Sequence, residues 1–313
     1  MIIRPRSLLA GLRSYVPTLS HFRDMGGSTT SARYCYAVWM RHLVKLSEAG
    51  LEKIPATVAE LGPGGSLGII IAALLSGAER GIGLDAVAHA DSESNLRVLE
   101  EMVELFRCRT SIPGHTEFPQ LRPVLLDYAF PAHLLLDETL TQCLAPERIT
   151  AIRRAIYQKG NLLEYVAPWG NAGSIEPQSI DLLLSQAVLE HVDALETVYA
   201  CMSRWLRPGA LMSHVIDYPC HNISSHWNGQ WACGPRYWKL VRGKRPFFIN
   251  RRPHSTHLQL HVFNGFKPLL VEVRVDETGL PAHRLAPPYR YMDKTNLTTS
   301  GSLIISQKTK GKD

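Results

Sequence analysis

Residues 57–85 read TVAELGPGGSLGIIIAALLSGAERGIGLD, and the rest of the chain is organised around them. A short apolar run ends in Glu60, turns through Gly62, Gly64 and Gly65, and becomes an Ile/Ala/Leu-rich segment suited to a buried helix. After Gly77 a second short run, residues 81–84, ends in Asp85. This is a strand–turn–helix–strand unit of the kind that holds a nucleoside at the carboxyl ends of parallel strands. Glycines permit both the tight turn and the close approach of a ligand to the backbone.

The spacing departs from a dinucleotide fingerprint. Gly-x-Gly-x-x-Gly would be needed, but the third glycine, Gly68, comes one residue late and Pro63 separates the first two. Asp85 stands where an acid accepts hydrogen bonds from ribose hydroxyls. Glu60 beside the turn disfavours a pyrophosphate and favours a ligand with positive charge. S-adenosylmethionine, with its sulfonium and ammonium, meets that description.

Working outward, residues 1–22 are basic and apolar by turns, with Arg4, Arg6 and Arg13 among Leu8, Leu9 and Leu12. They suit an arm packed on the domain, or a short amphipathic helix in peripheral contact with an anionic membrane. Gly26 to Thr30 reads as a turn, Ser31 as a helix cap, and ARYCYAVWMRHLVKLSEAG as a helix. That helix is placed to fold over the cofactor, with Arg33, Tyr34 or Arg41 as candidates for its carboxylate. Residues 1–50 are therefore read as an arm and helix over the cofactor site, ahead of a main domain spanning 51–313.

Beyond Asp85, residues 95–106 are an amphipathic helix. A long excursion, 107–160, begins as a proline-broken loop and continues in two helical runs, 130–144 and 146–158, the second with Pro146 at a natural helix start. Excursions of this length are often lids or substrate platforms. A strand is expected at 180–184, running into a helix whose Leu189, Val192, Leu195, Val198 and Met202 face a core, and another at 211–217. Ser185 and Gln186 fall on the rim where ligands bind in such sheets.

AELGPGGSLG, GIGLD, SIDLLLSQAVLEHV and WLRPGALMSHVID, in this order, resemble the motif series of class I S-adenosylmethionine-dependent methyltransferases. The resemblance covers about residues 58–218. It implies an α/β fold, a Rossmann-like seven-stranded sheet, parallel with one antiparallel strand and flanked by helices. The closing hairpin, 265–307, falls on KPLLVEVRVD and SGSLIISQ. It further implies that Glu60, Gly62 and Gly64 line the methionine part of the cofactor, that Asp85 binds ribose, and that Ser185 and Gln186 lie near the reactive methyl. Residues 165–169 fall near the adenine pocket without its familiar acid. His191 matches a histidine common across the superfamily, read first as structural and second as a base.

The acceptor must be argued from 218–264, read as a substrate cap. Trp227, Trp231 and Trp238 lie there among histidines and arginines. Stacked aromatics suit a sugar ring, or a base of single-stranded nucleic acid, and equally a buried plug. The layout DY…SHW…W…W…INRRPHSTHLQLHVFNGF also resembles bacterial methyltransferases found with polysaccharide and other cell-envelope glycan genes. There an Asn-Arg pair, here Asn250-Arg251, follows the Trp-rich segment. Methyl transfer to a hydroxyl calls for a proton acceptor within hydrogen-bond reach. His221 and His226 are the first candidates, then Asp217 and His191. Cys220, His221, His226 and Cys233 cluster, but in no standard zinc spacing, so no metal is expected.

Composition narrows the classes. The chain has 313 residues, 45% hydrophobic and 20% charged, as in ordinary globular proteins. A net charge of +6 admits nucleic acid or anionic glycan without choosing between them. Without a basic stripe or an appended binding domain, nucleic acid is the less favoured partner. Six scattered cysteines and no visible secretory leader suit a reducing, cytoplasmic setting. The reading is an S-adenosylmethionine-dependent O-methyltransferase acting on a hydroxyl of a cell-surface glycan or glycan precursor. The alternatives are an RNA or protein methyltransferase and a non-catalytic partner subunit; oligomeric state is left open.

Overall fold

The computed structural model describes residues 2–15, 28–158, 160–170 and 172–310. Helix α1 (Pro5–Arg13) and helix α2 (Ala32–Glu48) precede strand β1 (Thr57–Leu61), α3 (Gly68–Ser76), β2 (Arg80–Leu84) and α4 (Ser92–Arg107). The excursion that follows carries α5 (Asp137–Cys143) and α6 (Pro146–Tyr157) before β3 (Leu163–Val166). Next come β4 (Ile180–Gln186), α7 (Leu195–Trp205) and β5 (Leu206–Asp217), then α8 (Pro235–Arg242) and α9 (His254–Phe263). Strand β6 (Phe266–Val275), the short α10 (Lys294–Thr298) and β7 (Thr299–Lys308) end the chain.

Seven strands form one sheet in the order β3-β2-β1-β4-β5-β7-β6. The first five pair in parallel, and β7 runs antiparallel to both β5 and β6. The expected fold class is the observed one. Order reverses between β1 and β4, so the carboxyl ends of these strands open a crevice there. The unit 57–85 folds as read. Helix α3 is buried along its whole length, and a Cβ on Gly81 would stand 2.2 Å from Ile70 Cγ2, so β2 and α3 pack too closely for any larger residue.

Helix α2 begins where read, its Ser31 side chain accepting from the Tyr34 N–H. It is buried on nearly every face, because α3, α4 and residues 113–123 enclose it. Two expected helices are shorter than the sequence suggests. In 130–144 only α5 is helical, because Pro131 opens a turn in which Leu134 and Leu135 bond back to its carbonyl. After β4 the chain does not run directly into a helix. Ala187 takes φ +54° and residues 189–191 form one tight turn before α7 starts at Leu195.

The arm's helix α1 lies on α8, where a Cβ on Gly11 would meet the Leu240 carbonyl at 2.2 Å. Leu9 and Leu12 remain exposed on it. The expected turn at 26–30 falls partly outside the described residues; its described part, residues 28–30, is a single tight turn. Among the described residues no helix is long and apolar enough to cross a membrane.

Candidate active site

Strand β1 delivers Glu60 to the crevice and then breaks. Gly62 and Gly64 take φ of +73° and +70°, backbone that only glycine adopts freely. The Gly62 N–H donates to the Leu84 carbonyl at 2.7 Å, tying the turn to the end of β2. One residue further, Asp85 closes the loop: its Oδ2 accepts from the Gly64 N–H at 3.1 Å and its Oδ1 from the Ala86 N–H at 2.7 Å. Residues 28–30 sit over the same turn, with Thr29 Oγ1 accepting from the Gly65 N–H at 2.9 Å.

Glu60 is 2% exposed, and its Oε2 has no hydrogen-bond partner among the described residues. Burial, and then the charge of Asp85, push its carboxyl well above the usual carboxylate range. A buried carboxyl left this way is costly unless something binds it. Beside it lies a cavity of about 320 Å³ lined by Gly62, Leu84, Asp85, Trp169, His191 and Phe247, among others. The cavity spans the carboxyl ends of β1 and β2 and reaches the turn after β4.

Other expected contacts are committed elsewhere. Ser185 Oγ is buried against His214 Nδ1 at 2.8 Å, on the face of β4 away from α2. Gln186 Oε1 meets His42 Nε2 of α2 at 3.1 Å. Arg33 pairs with Glu117 in a two-point contact, at 2.6 and 2.7 Å. Arg41 is buried and donates to the carbonyls of Pro113, Leu121 and Pro123, so it braces the excursion. Of the three carboxylate candidates, Tyr34 packs its ring edge-on against Phe118, 5.6 Å away. Burial, and the charges of groups that include Glu60 and Asp217, push its hydroxyl up to about 12.

The cap's tryptophans point inward. Trp231 is fully buried, stacks on Tyr289 at 6.0 Å, and donates from Nε1 to the Arg251 carbonyl. Trp227 meets Trp231 edge-on at 5.4 Å and donates to the Asp276 carbonyl. Trp238 packs on Phe248 and under the Arg251 guanidinium, 4.4 Å away. Asn250 clips the turn after β4: its N–H donates to the Glu190 carbonyl, and its Nδ2 to the carbonyls of Leu189 and Val192. The structure places these five residues in the framework of the cap.

The histidines divide. His191 and His221 face each other with ring centroids 5.0 Å apart. Burial, and then His221, take His191 down to about 4; burial also lowers His221, against the pull of Asp217. Both are neutral at pH 7. His226 bonds to its neighbour Ser225, at 3.2 Å. Asp217 Oδ1 accepts from Arg274 Nη2 at 3.1 Å. Sequence reasoning passed over Glu190, which is 1% exposed with neither carboxyl oxygen partnered among the described residues. Phe247, which lines the cavity mouth at 48% exposure and φ +50°, was also passed over.

Residues 132–213 match the family model described as a methyltransferase domain. Together with the sheet order and the Glu60–glycine–Asp85 turn, that match decides the class. The chain carries a methyltransferase domain. Its cofactor is S-adenosylmethionine, and the residues present fit that group: an orphaned buried acid, a glycine cradle, and a second acid at the end of β2. No curated protein matches the methyltransferase at the sequence level.

Solved structures resemble it distantly. An S-adenosylmethionine-dependent methyltransferase from Mesorhizobium loti is 14% identical, over 86% of this chain and 98% of that one, with TM-score 0.42. Phosphoethanolamine N-methyltransferase 2 of Haemonchus contortus, in complex with S-adenosylmethionine, is 12% identical over 93% and 60%, with TM-score 0.43. One from Methanosarcina mazei is 16% identical over 85% and 97%, with TM-score 0.41. Likenesses this distant do not identify the methyltransferase's acceptor.

Proposed function

We propose that this methyltransferase transfers the methyl group to a hydroxyl of a small acceptor, a cell-surface glycan or glycan precursor. When bound, the cofactor supplies an electrophilic sulfonium methyl. Asp85 would hold its ribose, Glu60 its cationic amino-acid end through Coulomb attraction in a dry site, and Trp169 the neighbourhood of its adenine. The chain's part is to align the two reactants, the largest lever in a displacement of this kind.

One observation carries the oxygen acceptor: Glu190, His191 and His221 offer donor atoms all within 4.8 Å of one another, and His191 also lines the cavity. An alcohol loses a proton on methylation, and a group able to help must lie within hydrogen-bond reach of it. Two neutral imidazoles, His191 on the cavity wall and His221 facing it, meet that need. The glycan class rests on the resemblance of the cap sequence to glycan-associated methyltransferases. With the tryptophans turned inward, Phe247 at the cavity mouth is the ring offered to a sugar face. A peripheral membrane contact through exposed Leu9 and Leu12 of α1 would bring the enzyme to lipid-linked glycans.

The test is transfer from methyl-labelled S-adenosylmethionine to a panel of hydroxylated glycans, amines, RNA and protein. Label in an alkali-stable ether on a glycan is the expected result. Label in RNA, protein or amine, with none in glycans, would overturn the reading.

A further inference from the structure

Glu190 is an oddity that the cofactor does not explain. It follows β4, in a turn locked from outside by Asn250, whose N–H and Nδ2 hold three successive parts of that turn at 2.7–2.8 Å. The lock fixes where Glu190 and His191 project. Yet among the described residues the buried carboxyl finds no hydrogen-bond partner within normal geometry at either oxygen, and neither does His191 Nδ1. Few buried polar side chains go without a partner in folded proteins, and each one that does asks for a missing group.

Across the crevice, the loop after β5 turns back through His221 and Asn222, at φ +45° and +65°. These are two consecutive left-handed residues, neither of them glycine. The turn sets the His221 ring against that of His191. The three side chains then converge with their ligand atoms within 4.8 Å of one another. Around a tetrahedral ion with bonds of about 2.1 Å, donor atoms stand about 3.4 Å apart. Binding an ion therefore requires side-chain rotations that draw the three groups together.

We infer that Glu190, His191 and His221 form a binding site for a divalent transition-series cation, one carboxylate and two imidazoles with the remaining positions open. The donor set is the borderline one such ions prefer, unlike the all-oxygen sets of magnesium and calcium. One negative charge and two neutral rings complement a divalent ion. An acceptor ammonium is the competing occupant, but it would want oxygen acceptors around it rather than imidazole nitrogens. Cys220, His226 and Cys233 are not in the group.

This deepens the proposed reaction and rests on the reading of this end of the cavity as the acceptor's; with the ion bound, the three side chains hold it and do not take the proton themselves. The acceptor's oxygen would take an open position on the cation, which acidifies its O–H, and the proton leaves to solvent water. The oxygen's electron pair forms the bond to the methyl carbon, while the pair of the breaking carbon–sulfur bond stays on sulfur.

The experiment is a titration of the metal-stripped full chain with Co²⁺, followed by visible absorption, for wild type, Glu190→Gln and His221→Ala. S-adenosylhomocysteine binding is measured alongside as a check on folding. The expected result is one Co²⁺ per chain with a d–d spectrum of mixed nitrogen and oxygen ligands. Its affinity should fall at least tenfold in each variant, while S-adenosylhomocysteine affinity holds. Absence of stoichiometric Co²⁺, or an equal affinity in Glu190→Gln, overturns the site. Co²⁺ binding without methylation of any hydroxyl would leave the cation site standing and remove the acceptor assignment. Hydroxyl methylation unchanged by chelation, with no Co²⁺ spectrum, would do the reverse.

Discussion

Replacing Glu60 by glutamine should change how the cofactor-free protein responds to pH. In the folded chain the Glu60 carboxyl is buried and held well above its ordinary value of 4.5. In the unfolded chain it titrates near that ordinary value, roughly 4.3. Between the two values the folded state carries one more proton than the unfolded state. Wild-type stability therefore falls by about 1.4 kcal/mol for each pH unit as pH rises from the ordinary value to the folded one, and is flat beyond. Glutamine has no such slope. Glu190 contributes the same slope to both proteins, so it cancels in the comparison.

The amide's own buried donors add an offset that pH does not change, so the test is the trend. Melting temperatures of wild type and Glu60→Gln, without cofactor from pH 5 to 8, should diverge in favour of the variant as pH rises. For a chain of this size, about 2 °C per kcal/mol converts the divergence. Saturating S-adenosylmethionine should then stabilise wild type more than the variant, because its cationic end gives the carboxylate a partner. A pH-independent margin, or one that narrows as pH rises, would refute the picture of a buried acid waiting for a cation.

Three other substitutions separate framework from site. Gly62→Ala forces φ +73° on a residue with a Cβ, and sets that atom 2.6 Å from Val188 Cγ2. Denaturant unfolding should show a loss of about 2–4 kcal/mol, the sum of left-handed strain and overpacking. Arg41→Met strips the donors from the carbonyls of Pro113, Leu121 and Pro123. It should cost about 3–5 kcal/mol while leaving S-adenosylhomocysteine affinity intact; a tenfold loss of affinity at unchanged stability would return Arg41 to the cofactor's carboxylate. Trp231→Ala should cost about 3–5 kcal/mol as a core truncation, read by calorimetric melting. An unchanged melt with a raised acceptor KM would instead make Trp231 a substrate contact.

What the sequence disclosed was local or periodic. Gly62, Gly64, Glu60 and Asp85 all lie within one strand–turn–helix–strand unit, where spacing alone brings them together. The last antiparallel strands show as apolar runs after the final parallel one. Long-range decisions were hidden. Glu190 reads as an ordinary acid in LEHV; its burial depends on Asn250, which arrives from the far end of the cap. The signal available was an acid and a histidine side by side just past a rim strand. Whether Trp231 faces a sugar or a core depends on Tyr289 and Leu280, which pack against it from beyond β6. Arg41 sits among apolar neighbours in the helical pattern, and nothing local says that three carbonyls of a later loop will surround it.

Everything proposed for the site depends on the Glu60–glycine–Asp85 turn holding the cofactor. The most direct measurement is calorimetric titration of wild type and Asp85→Ala with S-adenosylmethionine and S-adenosylhomocysteine. Binding in the micromolar range to wild type, weakened at least tenfold in the variant, is the predicted result. Wild type that binds neither ligand, or a variant that binds them equally well, would contradict it.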